Sequence, residues 1–70
     1  MEIFNLDNHP HVELCDLLKF QGWSESGGAA KEVIAEGRVK VDGKVETRKR
    51  CKIVADQVVE FNGGKVMVKP

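Results

Sequence analysis

Apolar and polar positions change their spacing several times along the 70-residue chain, and each change marks an element. Residues 2 to 6, EIFNL, roughly alternate, with Ile3 and Phe4 both bulky, and predict a short edge strand. Asp7, Asn8 and Pro10 then read as a turn. Leu14, Leu17 and Leu18 recur at the i, i+3, i+4 spacing of one helical stripe, which predicts a helix over 13–21 with Phe20 closing its end. Glu13 and Asp16 early in that helix and Lys19 late in it suit the helix dipole, and Gly22 is its stop. Trp23 beside the helix end is expected to anchor the core. Ser24 and Ser26 are candidate N-caps for a second helix over 27–36. It buries Ala30, Val33 and Ile34, turns Lys31, Glu32 and Glu36 to water, and ends at Gly37.

Beyond Gly37 the period becomes two. Arg38-Val39-Lys40-Val41 puts valines on one face and cations on the other, and Asp42-Gly43 is a strong turn signal. A two-residue hairpin there would pair Val41 with Lys44 and Lys40 with Val45 and so mix the faces. One extra turn residue would suit the valines better, so a plain hairpin is not expected. A charged loop runs from Glu46 to Arg50, and strands follow at 52–54, 57–61 and 65–68, with Asn62-Gly63-Gly64 turning between the last two. The expected class is α+β, two helices packed on a small, mostly antiparallel sheet.

The length predicts one domain, near the lower limit for a self-sufficient core, and a hydrophobic fraction of 41% suffices to build it. No apolar run approaches the roughly 20 residues of a membrane span. The start, MEIFNLDNHP, lacks the basic region of a signal peptide. Two cysteines, Cys15 and Cys51, are too few for a secreted disulfide framework, so a cytoplasmic protein with free thiols is expected.

Formal net charge is zero, but its distribution is polar. From Arg38 to Lys52 seven basic residues face two acids, a local charge of +5, and the rest of the chain carries −5. Such asymmetry points to a polyanionic partner. Catalytic chemistry has little support, since no Ser or Cys has an adjacent His in an evident motif and no phosphate-loop lysine motif is present. His9, His11, Cys15 and Cys51 are zinc-type ligands, but their spacing matches none of the usual paired-ligand knuckles, so no metal site is expected. An aromatic stacking platform for single-stranded RNA is not expected either, because the strand positions are mainly aliphatic. What remains is a phosphate-binding surface of two parts. One is the small-residue helix start Ser26, Gly27 and Gly28; the other is the cationic arc Arg38, Lys40, Lys44, Arg48, Lys49, Arg50 and Lys52.

Residues 14 to 61 resemble the RNA-binding domain named after ribosomal small-subunit protein four, also called the αL domain. The features that carry the resemblance are the leucine helix Leu14 to Leu18, the Gly22-Trp23 pair and the loop Ser24 to Ser26. Ala30 with Val33-Ile34, the turn Val39-Lys40-Val41-Asp42-Gly43 and the closing strand Val58 to Phe61 follow in family order. Gly27 stands where the family often has arginine, Asp56-Gln57 replaces a Gly-Asp pair, and Lys31 matches a basic position on the second helix. The stretch SGGAAK…VETRKR is similar to small stand-alone bacterial members. The resemblance implies an αL fold that binds structured RNA, of ribosomal or tRNA-like type, without catalysis. A monomer with no cofactor and no membrane association is expected. The competing expectation is a protein-interaction module that docks the basic arc onto an acidic partner.

Overall fold

Both helices end where a residue free to take a left-handed backbone lets the chain turn. The computed structural model describes residues 1–70. Helix α1 (Leu14–Phe20) is followed by Gly22 at φ 74° and α2 (Gly27–Ala35) by Gly37 at φ 78°. The strands are β1 (Glu2–Asn5), β2 (Val12–Glu13), β3 (Val39–Val41), β4 (Lys44–Val45), β5 (Lys52–Ile53), β6 (Val58–Phe61) and β7 (Gly64–Lys69). Five form one sheet in the order β1-β7-β6-β3-β4, antiparallel except for β1 against β7. Strands β2 and β5 form a separate antiparallel pair, with Val12 opposite Ile53 and Glu13 opposite Lys52. The α+β expectation of two helices on a mostly antiparallel sheet matches this architecture.

One apolar cluster holds the layers together. Leu14, Leu17 and Leu18 of α1 and Ala30 and Ile34 of α2 pack with Val39, Val59, Val66 and Val68 of the sheet, all fully buried. Register explains which strand residues join it. Val39 faces Phe61, Val41 faces Val59 and Val59 faces Val66, whereas Lys40, Glu60 and Lys65 form a row on the opposite face. No helix is long and apolar enough to cross a membrane.

Three expectations need correction. The β3–β4 connection is the plain two-residue hairpin, with Lys40 opposite Val45 and Val41 opposite Lys44. Asp42 and Gly43 both take positive φ, 52° and 83°, the twisted turn that Asp-Gly favours. Because β4 is a two-residue edge strand, mixing its faces leaves only Val45 exposed, and turn geometry outweighs that small loss. Glu13 belongs to β2 and not to α1, and Lys52–Ile53 pairs with that strand outside the main sheet. Of the two candidate caps Ser26 is the one α2 uses, as expected; its Oγ accepts the Ala29 N–H at 3.2 Å. Phe20 does not close a buried stripe: it is 63% exposed.

Trp23 is half-buried against the core, its ring 6.3 Å from that of Phe61. It also lies flat enough on the backbone at Gly64 that a Cβ there would stand 3.0 Å from Trp23 Cζ2. We expect Trp23→Ala to cost about 3 kcal/mol in denaturant melts and Gly64→Ala to cost about 1 kcal/mol by overpacking. In the Trp23→Ala background most of the Gly64→Ala cost should disappear, because the ring atoms it meets are gone and only the Phe61 carbonyl oxygen at 3.4 Å remains.

Candidate nucleic-acid interface

A helix leaves its first N–H groups without intrahelical acceptors, and α1 has no side-chain cap to supply one. The loop after β4 supplies them. The Leu14 N–H donates to the Cys51 carbonyl at 2.9 Å and the Cys15 N–H to the Lys49 carbonyl at 3.2 Å. The β2–β5 pairing and an ion pair from Arg50 Nε to Glu13 Oε1 at 3.2 Å tie the same loop to the helix entrance. Four links thus pin residues 49–53 and fix the stretch of backbone from which their cations project. Arg48, Arg50, Cys51 and Lys52 line an open groove of about 460 Å³ there.

Glu46 organises the first half of the loop. Its Oε2 accepts the Arg48 backbone N–H at 2.9 Å and Arg48 Nε at 3.0 Å, while Oε1 accepts Nη2 at 2.9 Å. This two-pronged clasp lowers the Glu46 pKa to about 2, chiefly through the side-chain hydrogen bonds and then the backbone one. It also holds Arg48 more firmly protonated. The Cys51 thiol lies 3.6 Å from Glu46 Oε1; burial first and the Glu46 charge second push its pKa up, so it stays a thiol.

The other arc residues gather elsewhere. Arg38 stacks its guanidinium over Phe61, 5.6 Å from the ring centre, and pairs with Glu36 at 3.6 Å. With the outward Lys40 of β3 it lines a smaller groove of about 210 Å³. Lys44 stands on the edge strand opposite Val41. Ser26, Gly27, Gly28 and Lys31, at the α2 start and first turn, line neither groove. A Cβ at Gly27 would meet nothing within 4 Å and one at Gly28 only Ser26 Oγ at 3.8 Å, so internal packing does not require either glycine. The three arginines of the arc each have a carboxylate partner, whereas Lys31, Lys40, Lys44, Lys49 and Lys52 have none within ion-pair distance. Sequence reasoning treated all the arc cations alike and missed Glu13 and Glu46. The only available signal was Glu46 inside the basic run; Glu13 lies 37 positions from Arg50 and left none. The four zinc-type side chains are not brought together: Cys15 is in the core and Cys51 in the clasp, while His9 and His11 line a cleft beside α1.

Two helices set against a mostly antiparallel sheet are also what comparison with known proteins finds. The model of the S4 domain family matches residues 4–69. The chain belongs to the S4 domain family. YbcJ of Escherichia coli (strain K12) and YbcJ of Shigella flexneri are each 71% identical to it over 68 residues, 97% of both chains. A solution structure of YbcJ from E. coli, described as revealing an αL motif involved in RNA-binding, superposes with a TM-score of 0.77 at 68% identity. That match covers all of this chain and 89% of the other. The S4 match thus extends the resemblance read from residues 14 to 61 to nearly the whole chain.

The clasp has a pH signature. The folded pKa of Glu46 lies below its unfolded value of about 4.5, so its contribution is fully present above that value and fades as pH falls toward about 2. Denaturant melts between pH 5 and pH 2 should show wild-type stability falling more steeply than that of Glu46→Gln. Parallel curves would mean the clasp does not form in solution.

Proposed function

We propose that this S4-domain protein binds structured RNA through the phosphate backbone and that the arc from Arg38 to Lys52 is the contact surface. Pinned cations support the reading most directly. Arg48, Arg50 and Lys52 line one groove whose backbone is bonded to the start of α1, so little ordering entropy remains to be lost on binding. An arginine held by a carboxylate can exchange that partner for a phosphate of similar geometry, and the unpartnered lysines add charge without any exchange. The αL motif of the homologous YbcJ structure, described as involved in RNA-binding, supports the same assignment. The accessible glycines beside Ser26, with Lys31 one turn on, form a second, smaller contact. The partner is a folded RNA of ribosomal or tRNA-like type, bound by a monomer in the cytoplasm, and no reaction is catalysed.

Contact with five phosphates gives a slope of log affinity against log salt of about −3.5 to −4.5. Lys49→Gln with Lys52→Gln should flatten it by about 1.5 units and weaken all RNA sequences alike. Arg48→Gln with Arg50→Gln should flatten it less, because Glu46 and Glu13 already neutralise part of those charges. Filter binding at several salt concentrations measures both. Unchanged slopes in folded variants, or equal affinity for a non-nucleic polyanion, would favour docking onto an acidic protein instead.

A further inference from the structure

Phe20 is the last residue of α1, and 63% of it is exposed. Its ring is braced from one side by Phe4, with centroids 5.8 Å apart and planes 14° from parallel. The two rings form part of the wall of a cleft of about 490 Å³, within the range of ligand pockets. The loop between β1 and β2 makes the other wall. It is held by the Leu6 N–H to the Lys69 carbonyl at 2.8 Å and the His9 N–H to the Leu6 carbonyl at 3.0 Å, with Asp7 and Asn8 both at positive φ. His9, His11, Glu13 and Asp16 supply the polar part of the lining.

Charge decides what fits. Two carboxylates exclude a phosphate from the cleft but accept hydrogen bonds from amino groups, and an aromatic face stacks a flat ring. The cleft is also joined to the basic groove, because Glu13 lines the cleft while its carboxylate holds Arg50 of the groove. We infer that the cleft between Phe20 and the β1–β2 loop receives one unpaired RNA base bearing an exocyclic amino group. The base stacks on Phe20 and donates to Asp16, while the neighbouring phosphates lie along the Arg48–Arg50–Lys52 groove. This rests on the RNA-binding reading and adds single-strand selectivity to it. Cytosine, adenine and guanine offer amino donors, whereas uracil offers only an N3–H flanked by two carbonyls that the carboxylates repel, so uracil is disfavoured.

The test compares hexacytidylate, hexauridylate and a blunt RNA duplex in fluorescence anisotropy. Phe20→Ala should weaken hexacytidylate about tenfold and leave the duplex within about twofold, the loss expected for one base stack. Phe20→Leu keeps the apolar bulk without the aromatic face and should lose the same increment. Asp16→Asn should erase the preference for hexacytidylate over hexauridylate. Thermal melts check that each variant folds. If both Phe20 variants bind hexacytidylate like wild type while Lys49→Gln/Lys52→Gln weakens every RNA, the cleft inference fails and the backbone reading stands. If no RNA binds wild type, both fail. Ring resonances of Phe20 and His11 that move with an arginine-rich peptide but not with hexacytidylate would overturn the inference in favour of a cationic protein partner.

Discussion

The first turn of α1 needs acceptors for its amides, and it finds them in a segment more than thirty residues away in sequence. Buried amides without partners are expensive, so this demand is strict. Meeting it with the carbonyls of Lys49 and Cys51 fixes the basic loop to the helix whose leucines anchor the core. The order of dependence runs from core to α1, from α1 to the loop, and from the loop to the place of its cations. A serine or aspartate cap at position 13 would compete only for the Cys15 or Asp16 N–H; the Leu14 N–H would still need the Cys51 carbonyl. Glu13 serves instead as a partner for Arg50.

Placing carboxylates among phosphate-binding cations looks counterproductive, since Glu13 and Glu46 cancel charge that would attract RNA. Geometry offers the compensation. A free arginine samples many rotamers, and fixing it costs entropy at the moment of binding. Glu46 holds Arg48 through both its backbone and its guanidinium, so that cost falls on folding. The lysines keep their freedom and the long-range attraction. Arginines thus set position, and lysines set net charge.

Strong local signals made much of the fold legible in the sequence. The leucine stripe, the Ser26 cap, Gly22 and Gly37 after the helices, and the Asp42-Gly43 and Asn62-Gly63 turns each carry their own chemistry within a few residues. What escaped reading was short or distant. The β2–β5 ladder has two residues a side, too few for any periodicity, and Glu13 and Arg50 lie 37 positions apart. The hairpin register was misjudged because apolar pattern was weighed above turn chemistry at an edge strand, where pattern matters least. For the site, the cationic run was legible as a run. Its division into clasped arginines and free lysines depends on three-dimensional contacts, as does the exposure of Phe20, which by spacing alone belongs with Leu17.

The parallel pairing of β1 with β7 sets the order in which the molecule can be completed. Glu2 lies beside Val66 and Asn5 beside Lys69, so β1 has β7, more than sixty residues on, as its only neighbour in the sheet. Until residues 64–69 join the sheet, β1 has no ladder partner and Phe4 no sheet to lie on. Closing so long a loop carries an entropic cost that local contacts do not. The helices and the β3–β6 ladder close shorter loops and can form first, and the edge is added at the end. A folding chain can therefore hold its basic loop in place before its sheet is closed.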